Sequence, residues 1–180
     1  MADRMIENKE MHVPEIPEIL EKVLIFALEE AKEKMEQGAE LVPFTALVVK
    51  DNLFIENHPG EDADECYDSA QRTVEGARGA DAYAFCYDGY IETDAGISDS
   101  LIAEGGIPGE PEGTACGYIY TIEGETFNFE SQPAYIGTAP NFMSELKESS
   151  EYQDKDINNR YRDDEVDDLN KDDFDTSDEV

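Results

Sequence analysis

Two histidines and three cysteines, His12, His58, Cys66, Cys86 and Cys116, are the residues of this chain suited to nucleophilic or metal chemistry. His58 precedes Pro59-Gly60 and stands eight residues ahead of Cys66, near the start of a predicted helix. A thiol at a helix N-terminus can have a lowered pKa, and a neighbouring imidazole would complete a Cys–His nucleophile. Two features oppose that reading. Glu61, Asp62, Asp64 and Glu65 surround Cys66, and nearby negative charge disfavours a thiolate. Cys66 also falls on the apolar stripe of the helix, where a thiol behaves as a small hydrophobe. The sequence therefore assigns no catalytic, cofactor-binding or metal residue. It keeps an enzyme using Cys66/His58, or a carboxylate pair among 45 acidic residues, as an alternative. An odd cysteine count without Cys-x-x-Cys spacing reads as reduced thiols.

Three further patterns bear on binding. Residues 154–165 place Asp154, Asp156, Asn158 and Glu165 at the liganding spacing of an EF-hand calcium loop, with Asn159 where that loop takes glycine. The flanks lack amphipathic helices, so an acidic tail is the favoured reading. Tyr83, Phe85 and Tyr87 share one strand face, and Tyr118 and Tyr120 another. If the faces coincide, they form an aromatic platform of the kind on which RNA bases stack. The basic residues that such a platform needs are missing. Gly105-Gly106 and Gly109 have no Gly-Lys-Ser/Thr and no following helix, and read as a flexible hairpin tip rather than a phosphate loop.

Charge excludes more than the motifs establish. The 180 residues carry 45 Asp+Glu against 13 Lys+Arg, a formal net charge of −32. Neutralising many phosphates, or adhering to an anionic bilayer, requires a cationic surface that this chain cannot build. No run reaches the roughly 18 apolar residues of a membrane span. The N-terminal MADRMIENKEM has no apolar signal-peptide core. The expectation is a cytoplasmic protein with no nucleic-acid and no membrane partner. Residues 144–180 hold 15 acidic and 5 basic residues, net −10, leaving −22 on residues 1–143.

The elements that must position these residues follow from periodicity and punctuation. Residues 1–13 read as a mobile lead-in, 14–143 as one α+β domain and 144–180 as an acidic tail expected to be disordered. A helix begins at Pro14-Glu15-Ile16-Pro17-Glu18, runs through Ile19, Leu20, Val23, Leu24, Ala27, Ala31 and Met35, and stops at Gly38. Its middle, Val23 to Leu28, is apolar on nearly every side. Ile25, Phe26 and Leu28 are therefore the candidate surface for a homodimer. Leu41–Val49 and Leu53–Glu56 read as a hairpin turning at Asp51-Asn52. A second helix runs from Ala63 to Arg78, with Asp62 as N-cap and Gly79 as its end. Then come a hairpin at Asp88-Gly89, a strand over Asp99–Glu104, a loop over Gly105–Gly113 and a hairpin turning at Glu123-Gly124. Gln132–Pro140 reads as an irregular return.

The order α-β-β-α-β-β-β-β predicts an antiparallel sheet of about five to six strands with two main helices. It resembles the roadblock or profilin-like layout, helix–hairpin–helix–meander, in topology and without a sequence motif. A fold of that kind carries no particular function. The functional expectation is a non-catalytic protein-interaction or accessory module with a protein partner, without a cofactor. The alternative is an acidic inhibitor or immunity-type protein covering a basic protein surface.

Overall fold

The apolar spacing between Ile16 and Met35 closes into helix α1, Glu18–Glu36, in a computed structural model that describes residues 16–148. The lead-in with His12, and the acidic tail with the calcium-loop pattern at 154–165, lie outside the described residues. Helix α1 buries Leu20, Val23, Leu24, Ala27, Leu28, Ala31 and Met35. It is followed by Gly38, at a φ of 84° that favours glycine. Strand β1, Phe44–Val49, is buried along its whole length, its one polar side chain, Thr45, being hydrogen-bonded to His58. A two-residue turn at Lys50-Asp51, both at positive φ, leads into β2, Asn52–Asn57. The turn thus sits one residue earlier than Asp51-Asn52, because Val49 pairs Asn52.

Helix α2, Ala63–Glu75, starts as its sequence predicts. The Asp62 carboxylate accepts from the Glu65 amide at 2.9 Å, and the Glu65 carboxylate accepts from the Glu61 amide at 2.8 Å. It ends at Gly76 rather than Gly79, and Ala77 and Ala80 then turn into the core. Five strands follow: β3, Ala82–Thr93; β4, Gly96–Gly106; β5, Glu112–Glu123; β6, Thr126–Phe129; and β7, Ala134–Pro140. All pairings are antiparallel. The order is β2-β1-β3-β4-β5, with β6 and β7 each paired to β5.

The fold class is α+β as expected, with seven strands where five to six were read. The additional strand is β7, which occupies most of the stretch 132–140 expected to be an irregular return. It pairs β5 across a bulge between Ala115 and Cys116, with Gly137 at φ 153°. Asp88-Gly89 is not a turn. Asp88 pairs Leu101 and Gly89 pairs Ser100 inside a long hairpin whose bend is at Asp94-Ala95. Gly89 is used for space, since a Cβ there would lie 3.2 Å from Ile102 Cδ1. Gly105, Gly106 and Gly113 are strand residues rather than a flexible tip. A Cβ on Gly105 would stand 2.2 Å from the Tyr83 carbonyl oxygen, and one on Gly113 2.3 Å from that of Gly105.

The sheet separates two cores. Alternate residues of β1 and β3 (Phe44, Ala46, Val48; Ala82, Ala84, Cys86) pack with Leu101, Tyr118 and Tyr120 against α1. The intervening set, Leu47, Val49, Tyr83 and Phe85, packs against Ala70, Val74, Phe142 and Met143. Tyr83 ties the chain after β7 to this second core. Its ring stacks on Phe142 at 5.5 Å, and its hydroxyl accepts from the Phe142 amide and donates to the Pro140 carbonyl.

Candidate functional site

His58 is fully buried between β1 and α2. Its Nε2 is hydrogen-bonded to Thr45 Oγ1 and its Nδ1 to Ser69 Oγ, both at 2.9 Å. Both ring nitrogens are thus engaged by hydroxyls, which can donate or accept as the ring requires. Cys66 is buried on the α2 stripe beside Gly60, where an added Cβ would lie 3.2 Å from its Sγ. The arrangement is a satisfied buried histidine stapling a strand to a helix. Burial first, and then a nearby carboxylate, lifts the other two thiols. Cys86 is raised strongly, and Cys116, with Glu21 nearby, is pushed up to about 12. Those two sulfurs are held as neutral thiols.

The two aromatic sets do not meet. Tyr83, Phe85 and Tyr87 face α2, whereas Tyr118 and Tyr120 face α1, because the β4–β5 register sets Tyr118 opposite Leu101. No single aromatic platform exists. Each set is consumed locally instead. Tyr87 donates to Glu104 at 2.5 Å and Tyr120 to Asp88 at 2.7 Å. Burial, then the acceptor carboxylate, holds both phenols above their ordinary range. Burial also raises Asp88, reinforced by Asp99 and opposed by the Tyr120 hydrogen bond. Tyr118 and Tyr120 pack on Phe127 and Phe129, with the Lys32 ammonium 5.9 Å from the Tyr118 ring centre.

The three helix residues read as a dimer surface do not share a face. Leu28 is fully buried in the first core, against its expected exposure. Ile25 borders a small crevice with Cys116, Pro133 and Tyr135, while Phe26 lines a separate groove with Ile19 and Val23. A helix apolar on nearly every side is here covered by the sheet below and bordered by the crevice and the groove.

The flank bearing Phe26 carries an open groove. Ile19, Val23 and Phe26 of α1 face Val48 and Leu53 across a groove of about 480 Å³, closed at one end by Glu18, Lys22 and Asp51. At the other end, Glu30, Glu33, Lys34, Glu40 and Asn57 line a second hollow of about 430 Å³. Ile55 lies between, on the same side of β2 as Leu53, because Leu53 pairs Val48 and Ile55 pairs Ala46. Leu53 and Ile55 are 44% and 45% exposed. The result is an apolar floor with five acids and two lysines at its ends.

Sequence reasoning passed over Leu53 and Ile55. The signal was present in Leu53-Phe54-Ile55, three consecutive apolar residues on a strand, which make both of its faces apolar. Phe54 is used by the second core, and its two neighbours are left at the surface. Comparison with known proteins gives no matching family model, no matching curated protein and no matching solved structure. Among the described residues, no helix is long and apolar enough to cross a membrane.

Proposed function

We propose that this protein is a non-catalytic interaction module that holds a basic protein partner in the groove between α1 and β2. The observation that supports the reading is the pairing of an apolar floor, half-buried Phe26 with exposed Leu53 and Ile55, with acidic ends on a chain of net charge −32. Exposed apolar surface rimmed by polar residues is characteristic of docking sites. Complementary charge speeds encounter and sorts partners. A second copy brings the same excess of acid to the contact, which disfavours self-association relative to a basic partner.

The test compares affinity capture from native extract by the wild type and by Leu53→Asp, an exposed position, after thermal melting shows both folded. Basic proteins retained at low salt by the wild type and lost by the variant support the reading. Identical capture by both sinks it. The inhibitor alternative rests on the same acidity. It is separated by assaying a captured enzyme, whose activity an inhibitor abolishes and an accessory module leaves intact.

A further inference from the structure

Resting on that reading, we infer that the partner enters the groove as an extended segment, adding a strand to the outer edge of β2, with apolar residues in its middle and lysine or arginine at its ends. The edge is defined by the turn. In a two-residue hairpin the flanking pair exchanges both hydrogen bonds, and bonded and non-bonded pairs then alternate. Val49–Asn52, Leu47–Phe54 and Thr45–Glu56 are therefore the bonded pairs of the register. The N–H and C=O groups of Leu53, Ile55 and Asn57 point away from β1. Among the described residues no strand pairs this edge.

Sheet edges are ordinarily blunted by lysine, proline, bulges or shortness. The opposite side of the sheet follows that rule, with four-residue β6, and with β7 ending at Pro140 and bent at Gly137. β2 does not. It is regular over six residues, contains no lysine or proline, and turns Leu53 toward the groove, with exposed Ile55 on the same side of the strand. An added strand would satisfy the outward backbone groups while alternate side chains fill the groove beside Phe26, which is the geometry of strand addition. The charge of the occupant follows from the balance at the ends, where Glu18 and Asp51 outnumber Lys22, itself paired with Glu18 at 3.1 Å, beside one hollow, and Glu30, Glu33 and Glu40 outnumber Lys34 beside the other.

The probe is a short synthetic peptide of alternating valine and threonine flanked by lysines. It is added to the full chain beside a copy N-methylated on the amides facing one edge, and beside a helix-forming leucine–lysine peptide. Nuclear magnetic resonance shifts locate binding, and hydrogen exchange reads the amides of Leu53, Ile55 and Asn57. The expected result is saturable binding with slowed exchange at those three amides. N-methylation and Ile55→Pro should each weaken it by roughly tenfold or more, since several backbone hydrogen bonds are lost. Ile55→Pro removes an outward N–H together with the Ile55 side chain while leaving the bonds to β1, so Ile55→Ala, which keeps the N–H and loses the side chain, is its control and should weaken binding less. Groove binding that is unaffected by N-methylation, or equal binding of the helical peptide without protection, overturns strand addition and leaves the interaction reading standing. Absence of groove shifts with every peptide overturns both. A dimer that forms with rising salt and protects the same amides overturns the basic occupant.

Discussion

The Thr45–His58–Ser69 chain sets a demanding condition, because an imidazole without solvent contact bonds one ring nitrogen to each of the two hydroxyls. Thr45→Val nearly preserves shape and removes the hydroxyl, so it should destabilise by about 1–3 kcal/mol in urea unfolding, the cost of an unsatisfied buried polar group. Ser69→Ala should cost less, since its site is only partly buried. If either substitution left stability unchanged, the histidine would not be the staple its geometry describes. Titration behaves differently at Asp88. Burial and Asp99 raise its folded pKa, so the stability it allows at low pH is lost as pH rises through that folded value. Asp88→Asn can still accept from Tyr120, and should match the wild type below the carboxylate range while exceeding it at neutral pH. At the alkaline end, Tyr83, Tyr87 and Tyr120 are all raised by burial from an ordinary 10.0. Stability present below that value should fall as pH climbs from it toward the folded pKa values, which circular dichroism against pH will follow.

At the scale of elements, close approach rather than turn chemistry explains where this sheet departs from its sequence. Gly105→Ala would drive a methyl against the Tyr83 carbonyl. It should destabilise by about 1–3 kcal/mol or more, as overpacking does, whereas alanine at a flexible hairpin tip would be nearly neutral. The denaturation midpoint therefore distinguishes the strand from the loop reading. Both helices were legible, α1 from its 3.6-residue spacing and α2 from its Asp62 cap, because those signals are local. The Asp88-Gly89 turn was misread for the opposite reason. Whether Asp-Gly bends or continues depends on which residues lie across from it, and Leu101 and Ser100 are thirteen and eleven positions away from their partners in the chain. The same holds for Ala134–Pro140, whose pairing to β5 is set by the bulge at Ala115/Cys116. The aromatic sets failed as a platform through register alone, since two strands of correct internal alternation can still face opposite ways.

For the whole molecule, the net charge of −32 acts on the free chain and on its complexes with opposite sign. Compact folding crowds carboxylates together, so self-repulsion works against the folded state. Raising salt from about 0.01 M to about 1 M shortens the screening length from about 30 Å to about 3 Å. The thermal midpoint of the free protein should therefore rise with sodium chloride. Attraction between the acidic ends of the groove and a basic partner is screened by the same ions, so the partner's affinity should fall over the same range. The apolar floor of Phe26, Leu53 and Ile55 is not screened and sets the affinity left at high salt. Differential scanning calorimetry and a binding isotherm on one salt series test both slopes. If affinity held constant while the midpoint rose, the partner would be recognised by the apolar floor alone, and the acid would serve only to keep that floor from meeting its own kind.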